Sequence, residues 1–254
     1  MAIKLGATDI TTLKLGSADV SQAYLGATPL LSSGYDFGNA LEFDGVNDGL
    51  FYASNVVGIS ANTEFTISLW LNSQTNTENG QFWVTDFSNK DYWFFYPTSV
   101  QFRLNGSSSA RNNIWSYSYT PNNGTWTHYM LTRDSSSEIN FYVNGIVQSK
   151  TMSNTNNYNF QIAHIGRRNN STKHFKGVMD DFVVKSGYCA SAQDGLDLYN
   201  SGAGVDPTTI LSNPDAYWKF NETTGLVASD SSSTGNYDMS LINFANNPNQ
   251  WVAH

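Results

Sequence analysis

The sequence predicts an all-β protein: a two-sheet antiparallel sandwich of the jelly-roll type, preceded by a small arm of β-repeats. Short strand-like segments recur from about residue 40 to residue 185, turn signals separate them, and helix-like spacing of apolar residues is almost absent. The 254 residues are 40% hydrophobic and 14% aromatic, so the chain carries enough apolar material for a full core. Disordered chains are poor in aromatic residues, and this composition excludes that class.

The charge balance excludes several kinds of partner. Thirteen basic residues against twenty-one acidic ones give a net charge of −8. Nucleic-acid binding depends on Lys and Arg side chains that neutralise phosphates, so neither DNA nor RNA is an expected partner. The sequence contains no run of about eighteen apolar residues, so we expect no membrane insertion. Cys189 is the single cysteine, which excludes a disulfide within the chain.

The first thirty residues contain a ten-residue repeat. The pair Leu-Gly recurs at positions 5, 15 and 25, and each copy predicts a short strand, a glycine-led turn and a second short strand. Such a unit cannot bury its own apolar side, so the repeats must stack on one another, on the main domain or on another subunit. Residues 1–33 are therefore predicted to form an attachment or oligomerisation arm, with assembly contacts from Leu5, Leu15 and Leu25.

The main domain is predicted to span residues 34–254 as a series of strands. Residues 64–72 alternate between two faces, and the apolar face carries Phe65, Ile67, Leu69 and Leu71. Further strands are predicted at 81–87, 91–96, 100–104, 114–119, 126–133, 139–143, 162–165 and 175–184. Asn144-Gly145 predicts a tight hairpin with positive φ at both residues, and residues 192–199 predict a short helix. Strand-like segments return at 216–220 and 239–244, so residues 205–254 are expected to complete the sheets.

Aromatic and amide side chains supply a candidate sugar-binding surface. Aromatic rings stack on the apolar faces of sugars, while amide and guanidinium groups hydrogen-bond the hydroxyls. The rings of residues 115, 117 and 119 alternate with serines, so they share one strand face, which is either part of the core or a stacking platform. The candidate carbohydrate-binding residues are Tyr92, Trp93, Arg103, Asn105, Arg111, Trp115, Tyr117 and Tyr119.

Several segments resemble laminin-G-like, concanavalin A-like sandwiches, in the order of that family. They are ALEFDGVND at 40–48, FTISLW at 65–70, and the segments at 126–129, 140–145, 165–166 and 175–182. Residues 216–222 and 230–232 resemble a segment that usually precedes the sandwich, which implies a permuted strand order. The resemblance covers about residues 40–244; it implies the fold, and carbohydrate or protein binding or a structural role more often than catalysis.

The same resemblance implies a calcium site at the rim of the sandwich. Such domains often hold Ca²⁺ with Asp and Asn side chains and backbone carbonyls. The oxygen donors in the matching segments are Asp44, Asn47, Asp48 and Asp180. In the alternative interpretation, Asp44 and Asn47 hydrogen-bond their own turn. No other cofactor is expected.

The sequence does not predict catalysis. A glucanase of this fold needs two carboxylates about 5–9 Å apart across a cleft, and the glucanase run Glu-x-Asp-x-Glu is absent. Glu42 and Asp44 share a strand face, but Asp44 opens the Asp-Gly turn seen in non-catalytic members of the family. Asp180 and Asp181 are adjacent and are expected on opposite sides of a strand. His128 is interpreted as a sheet residue with a satisfied hydrogen bond.

The Leu-Gly arm is similar to N-terminal segments of tailed-bacteriophage structural proteins, which implies a virion. We predict a non-enzymatic protein on the surface of a tailed phage particle, a homo-oligomer with a trimer favoured, joined to other virion proteins by its arm. In one hypothesis the sandwich is the receptor-binding module of a tail fibre or spike and grips host-surface glycan. In the other it is a capsid decoration protein that stabilises the head shell. A glycan-cleaving enzyme is the minority alternative.

Overall fold

The computed structural model describes residues 35–74, 82–86, 90–104, 113–154, 158–168, 173–245 and 248–254, together with the backbone of short strands between residues 4 and 32. The chain divides into two compact units, Met1–Asp36 and Phe37–His254. In these parts of the chain, no helix is long and apolar enough to cross a membrane.

The first unit consists of two-stranded hairpins. Its strands are β1 (Lys4–Leu5), β2 (Thr8–Asp9), β3 (Leu13–Leu15), β4 (Ala18–Val20), β5 (Gln22–Leu25) and β6 (Thr28–Ser32). Each repeat leucine lies directly before its turn, since Leu5 pairs with Thr8, Leu15 with Ala18 and Leu25 with Thr28. The strand–turn–strand prediction is confirmed for the strands. The turn residues and the leucine side chains lie outside the described part, so the assembly role of these leucines stays a prediction.

The second unit is a sandwich of two antiparallel sheets, as predicted. In spatial order, one sheet contains β17 (Lys150–Met152), β13 (Ile114–Ser118), β12 (Ser99–Arg103), β11 (Tyr92–Phe95), β10 (Phe82–Thr85), β18 (Phe160–Ile165), β8 (Gly49–Ile59), β22 (Met239–Ile242) and β21 (Val227–Ala228). The other sheet contains β16 (Ile146–Val147), β15 (Ile139–Val143), β14 (Thr127–Arg133), β9 (Phe65–Ser73), β19 (Lys176–Ser186), β7 (Asn39–Asp44) and β23 (Trp251–Ala253), and β20 (Ala216–Trp218) pairs with β19. We call these the nine-stranded and the eight-stranded sheet.

The core lies between the two sheets and is strongly aromatic. The alternating apolar residues of β9 all face it, as the sequence pattern predicts. Rings from opposite sheets meet edge to face: the centroids of Phe95 and Tyr129 are 4.9 Å apart at an interplanar angle of 83°. This is a favourable geometry for the ring quadrupoles, so the two sheets are joined by oriented ring contacts as well as by burial.

The outer face of the eight-stranded sheet is covered by α1 (Ala192–Tyr199) and the chain that follows it. Ser191 caps the helix, because its hydroxyl accepts from the Asp194 N–H while the Asp194 carboxylate accepts from the Ser191 N–H. Leu198 packs on the sheet residues Met130 and Val183. The predicted helix is therefore confirmed, and it adds a second apolar layer to the sandwich.

The C-terminal segment completes both sheets. β22 pairs with β8 in the nine-stranded sheet, while β20 and β23 pair with β19 and β7 in the eight-stranded sheet. The predicted hairpin at Asn144-Gly145 joins β15 to β16, with φ values of 50° and 77°. Gly145 is required there for space as well, since a Cβ would lie 2.7 Å from the backbone of Leu196 in α1.

A buried arginine ties two loops to the end of β14. Arg133 is 1% exposed, and its guanidinium donates to the carbonyls of Ser60, Thr63 and Tyr158 at 2.6–2.8 Å. Burial lowers its pKa to about 10, so the group stays charged at neutral pH. Three carbonyl dipoles therefore stabilise this cation inside the protein.

Candidate functional site

The turn after β7 is organised by two carboxylates. Asp44 Oδ1 accepts the backbone N–H of Val46 at 2.7 Å and that of Asn47 at 3.2 Å. Asp48 Oδ2 accepts the backbone N–H of Asp44 at 2.9 Å. Side-chain oxygens thus accept the backbone N–H groups of the turn, in place of backbone carbonyls. This is the local hydrogen bonding that the alternative interpretation of Asp44 predicted.

An acidic cleft of about 370 Å³ opens beside this turn. Its lining residues are Glu42, Asp44, Asp48, Asn243, Phe244, Ala245, Asn249 and Gln250. Glu42 and Asp44 lie on the same side of β7, because Phe43 between them faces the core. The Asn243 side-chain amide donates to the Asn47 carbonyl at 2.9 Å and so joins the two walls of the cleft.

The acidic cleft is rich in hydrogen-bond acceptors. Burial raises the pKa of Asp48 to about 6; the nearby Asp44 charge adds to that shift, whereas the Asp44 N–H and His174 oppose it. The Gln250 amide donates to the Gly225 carbonyl at 2.9 Å, while its buried Oε1 has no hydrogen-bond partner among the described residues. Lys176 is the cross-strand neighbour of Asp44 and lies on the exposed rim. The cleft therefore favours a ligand that brings donors.

The four residues predicted to bind calcium do not form one group. Asp44, Asn47 and Asp48 share the turn, but Asp180 lies farther along β19, is 0% exposed and has Oδ2 at 2.7 Å from His254 Nδ1. Asp180 is therefore not a ligand of a site at the turn. Within the described ranges, no three His, Cys, Asp or Glu residues could together hold a metal ion. Asp44 and Asp48 each give one carboxylate oxygen to backbone donors, and calcium binding by Asp44, Asn47 and Asp48 at the turn stays a prediction.

Three of the predicted sugar-binding rings belong to the core. Trp93, Trp115 and Tyr117 are 0% exposed and pack between the sheets, so the prediction that they stack on sugar is wrong. The Tyr117 hydroxyl donates to the Ile139 carbonyl at 2.7 Å, which satisfies it inside the core. Tyr119 is partly buried against the same core, with its hydroxyl oxygen 3.1 Å from that of Tyr129. The strand face at 115–119 therefore belongs to the core and is not a stacking platform.

The other predicted sugar-binding residues divide into two groups. Tyr92 and Arg103 are cross-strand neighbours on the outer face of the nine-stranded sheet, with the guanidinium carbon 4.3 Å from the ring centroid. Tyr92 is 8% exposed, so it offers little ring surface to a ligand. Asn105 and Arg111 lie outside the described residues.

A buried polar cluster occupies the outer face of the eight-stranded sheet near His254. The His254 ring lies between Phe37 and Trp126, with centroid distances of 3.7 and 3.8 Å and interplanar angles of 7° and 4°. Burial lowers the His254 pKa to about 4, whereas burial and the neighbouring Asp181 charge raise the Asp180 pKa to about 10. At neutral pH the pair therefore holds one proton.

Asp180 and Asp181 do interact, contrary to the expectation from strand alternation. A bulge interrupts the pairing of β19 with β9 after Asp180, and Asp181 has φ of 48°. The Asp181 N–H donates to Asp180 Oδ1 at 2.7 Å, and the Tyr217 hydroxyl donates to the Asp181 carboxylate. Both carboxyl groups are buried, so this cluster is closed to a large substrate.

His128 is paired with a serine but is not placed for catalysis. Its Nε2 lies 2.8 Å from Ser68 Oγ, and both residues are almost fully buried. Burial lowers the His128 pKa to about 3, and its Nδ1 has no hydrogen-bond partner among the described residues. A catalytic His needs a substrate within reach and, usually, an orienting partner. Both the burial and the single hydrogen bond match the structural role predicted for His128.

Sequence reasoning missed one wall of the acidic cleft. Asn243, Asn249 and Gln250 come from a segment far along the chain from Asp44. Its density of Asn residues, in NFANNPNQ at 243–250, is the available signal for a polar loop. Nothing in that composition indicates which strand the loop adjoins, because that depends on the pairing of β22 with β8 and of β23 with β7.

Comparison with solved structures gives the same fold. A protein from Bacteroides ovatus, described as a proposed carbohydrate-binding protein, superposes with a TM-score of 0.59 at 16% identity. The superposition covers 89% of this chain and 65% of that chain. This chain therefore spans just under two thirds of that protein. The heptameric SAP-like pentraxin of Limulus polyphemus gives a TM-score of 0.50 at 14% identity, over 67% of this chain and 85% of that chain. At such identities the likeness shows the fold alone.

Sequence comparison supplies the family. Among curated proteins, no sequence matches this chain. A family model of laminin G domains, described as the Concanavalin A-like lectin/glucanases superfamily, matches residues 44–193. That match covers more than half of the chain and confirms the resemblance found in the sequence. The chain belongs to the laminin G domains of the concanavalin A-like lectin/glucanase superfamily.

Proposed function

We propose that the sandwich binds carbohydrate in the acidic cleft and does not cleave it. The observation that carries this proposal is the lining of the cleft: carboxylates and amides converge on a 370 Å³ space at one end of the sandwich. Sugars present many hydroxyl donors, and carboxylate and amide oxygens accept them. Family membership supports the same function, since members of this superfamily include lectins.

The buried acceptors of the cleft supply specificity. Gln250 Oε1 is buried and has no hydrogen-bond partner within the described ranges, and such an atom costs free energy until a donor reaches it. A hydroxyl or amino group of a bound sugar is a suitable donor. Phe244 lines the cleft but packs into the core at 8% exposure, so polar groups supply most of the surface that a sugar would meet.

Hydrogen bonding at the turn argues for binding over catalysis. Asp44 and Asp48 both accept backbone N–H groups of their own turn, which fixes the positions of their oxygens. Glu42 is then the carboxylate of the cleft with the greatest freedom. A glycosidase needs two carboxylates in separate roles.

The test compares two isosteric charge removals. Glu42→Gln removes one charge from the acidic cleft, and Glu138→Gln removes one at a partly buried ion pair with Lys150, away from the cleft. A glycan array identifies the ligand, and calorimetry then measures Kd for each variant. We expect Glu42→Gln to weaken binding about tenfold, the cost of one charged hydrogen bond, with Glu138→Gln unchanged. Equal affinities for both variants would contradict the assignment of the cleft. Release of soluble sugar by the wild type, lost in Glu42→Gln, would show an enzyme instead.

We further propose that the protein is displayed on the surface of a tailed phage particle as a homo-oligomer, with a trimer favoured. The hairpins of the first unit support an assembly role, because isolated two-stranded hairpins are marginal in water. Deleting residues 1–31 should leave a folded sandwich that no longer joins particles or oligomers, as measured by sedimentation and particle binding. Unfolding of the truncated chain would instead place the arm in the core.

The place of the protein on the particle separates two functions. A receptor-binding role predicts antibody label at the tail fibres or spikes and competition of purified protein with infection. A head decoration role predicts label over the capsid and loss of shell stability without the protein. Glycan binding in the acidic cleft favours the receptor-binding role, because a decoration protein needs no ligand.

A further inference from the structure

A second cleft lies at the other end of the sandwich. It measures about 250 Å³, and we call it the tyrosine cleft; its lining residues are Gly58, Ser186, Asn213, Pro214, Asp215, Ser233, Thr234, Asn236 and Tyr237. The acidic cleft adjoins the start of β8 and the tyrosine cleft adjoins its end. β8 is bulged, so the separation is taken from β19, which leads from the cross-strand neighbour of Asp44 to Ser186. Its pairing with the nine residues of β9 puts the two clefts roughly 27 Å apart. One ligand unit therefore cannot fill both clefts.

We propose that the tyrosine cleft is a second carbohydrate site, which takes one neutral sugar unit. The inference goes beyond binding at the acidic cleft and does not require that cleft to be occupied. Its basis is a rigid polar lining, a tyrosine ring and a balanced charge, each of which follows from contacts in this part of the structure.

One wall of the tyrosine cleft is held by the end of β19. The Lys185 ammonium donates to the Asn213 carbonyl at 3.0 Å, and the Asp215 N–H donates to the Val184 carbonyl at 2.9 Å. The Ser186 N–H donates to the Asp215 carboxylate. Asn213 itself has φ of 49°, so its backbone occupies a restricted conformation. These bonds fix the wall before any ligand arrives, which reduces the ordering cost of binding.

The opposite wall is fixed by two buried or half-buried rings. The Tyr52 hydroxyl donates to the Asn236 carbonyl at 3.0 Å, and the Trp218 indole N–H donates to the Tyr237 carbonyl at 2.8 Å. The Tyr237 ring packs edge-on against Tyr52, with centroids 5.8 Å apart at 73°. Tyr237 is thus held in place while remaining partly exposed. A fixed, half-exposed ring is suited to stacking on a sugar.

The chemistry of the lining selects the ligand class. Asn213, Asn236, Ser233 and Thr234 are exposed side chains that both donate and accept hydrogen bonds. Asp215 brings one negative charge and neighbouring Lys185 one positive charge, so the cleft gives little attraction to an anionic or cationic sugar. The volume lies below the roughly 300–1,000 Å³ of pockets for drug-sized ligands, which fits a single ring. A neutral pyranose matches all three features.

The two clefts would let one chain hold two sugar units at once. Because they lie at opposite ends of the sandwich, they cannot belong to one short oligosaccharide. Simultaneous engagement of two surface chains raises avidity without any new contact within a single site.

Amide-resolved NMR titration of the full chain tests the inference. The probes are galactose, mannose, glucose and N-acetylglucosamine, and the linear polyol sorbitol is the control. We expect one or more of the pyranoses, but not sorbitol, to give saturable shifts at residues 213–215 and 233–237. The inference is overturned if these residues do not shift, or shift equally with sorbitol. Shifts confined to 42–48 and 243–250 would support the acidic cleft and reject the tyrosine cleft.

Variants then assign the shifts to the tyrosine cleft. Asn213→Gly with Asn236→Ala removes two exposed amides, and glycine keeps the positive φ of residue 213, so the backbone contacts and the fold should persist. We expect about tenfold weaker binding at this cleft, while Asn122→Ala, an exposed amide lining neither cleft, leaves Kd unchanged. A double variant that binds within about twofold of the wild type would reject the site, since loss of two hydrogen bonds should exceed that margin.

Discussion

The two faces of the eight-stranded sheet are made by alternating residues of the same strands, yet they differ in chemistry. The inner face carries apolar side chains such as Leu69 and Leu131. The outer face near His254 carries Asp180, Asp181 and His128, all buried. Apolar burial does not depend on pH, whereas a buried titratable group makes stability depend on pH through its shifted pKa. The inner face therefore contributes stability that does not vary with pH, whereas the titratable groups of the outer face make stability depend on pH.

The largest expected effect is on the inner face. Leu69→Ala should lower the free energy of unfolding by about 2–5 kcal/mol, because the site is fully buried and leaves a cavity. The loss should be the same at about pH 6 and at about pH 9, since no charge changes. Urea unfolding at both pH values measures it. A loss that varied with pH would break the distinction between the faces.

The next effect concerns the pair of Asp180 and His254. Between about pH 6.5 and 10 the folded pair keeps one proton, while the unfolded chain, with ordinary pKa values of 3.8 and 6.5, keeps none. The folded state binds more protons, so stability falls as pH rises, by up to about 1.4 kcal/mol per pH unit. Between about pH 4 and 6.5 both states hold one proton, and the pair contributes no slope.

Asp180→Asn isolates that slope. An Asn amide can still donate to the His254 ring and accept the Asp181 N–H, but it does not titrate. Between about pH 6 and about pH 9, the wild type should lose up to about 3 kcal/mol more of its free energy of unfolding than the variant does. Parallel stability curves for the two proteins would show that the pair holds no extra proton.

A smaller effect of opposite sign belongs to His128. Its folded pKa of about 3 lies below the ordinary value of 6.5, so the unfolded state binds more protons and stability falls as pH falls below 6.5. At about pH 5 the loss should reach about 2 kcal/mol. His128→Gln should remove this acid-side loss in urea unfolding, and Asp180→Asn should not. Retention of the full slope in His128→Gln would assign it to other groups.

The smallest expected effect separates ring stacking from hydrogen bonding at His254. His254→Phe keeps a ring between Phe37 and Trp126, whereas His254→Ala removes it; both lose the contact with Asp180. The alanine variant should therefore be less stable than the phenylalanine variant by about 1 kcal/mol. Thermal unfolding of the two variants measures the difference. Equal stabilities would mean that the stack contributes nothing beyond the hydrogen bond.

Local pattern predicted the strands and the inner face of the sheet well. The alternation at 64–72 predicted the core side of β9, Asn144-Gly145 predicted its hairpin, and the helix at 192–199 was predicted to the residue. These features depend on short-range backbone geometry and on the two-residue period of a strand. Such information is present in any short window of sequence.

The outer face and the acidic cleft depend on long-range pairing. Trp115 and Tyr117 alternate with serines whether their strand faces a core or a ligand, and only the position of the second sheet decides between them. The bulge at Asp181 has no local signal, because it arises where β19 changes its register with β9. Asn243, Asn249 and Gln250 reach the turn of Asp44 through pairing across about 200 residues of chain. These contacts could not be predicted from one sequence.

The carbonyl cage of Arg133 has a consequence for acid resistance. A cation neutralised by carboxylates loses its partners when those carboxylates protonate, but the carbonyls of Ser60, Thr63 and Tyr158 do not titrate. The two loops they anchor should stay docked under acidic conditions that open the His128 region. Amide hydrogen exchange at low pH should then show the loops around Arg133 still protected while the amides near His128 exchange faster.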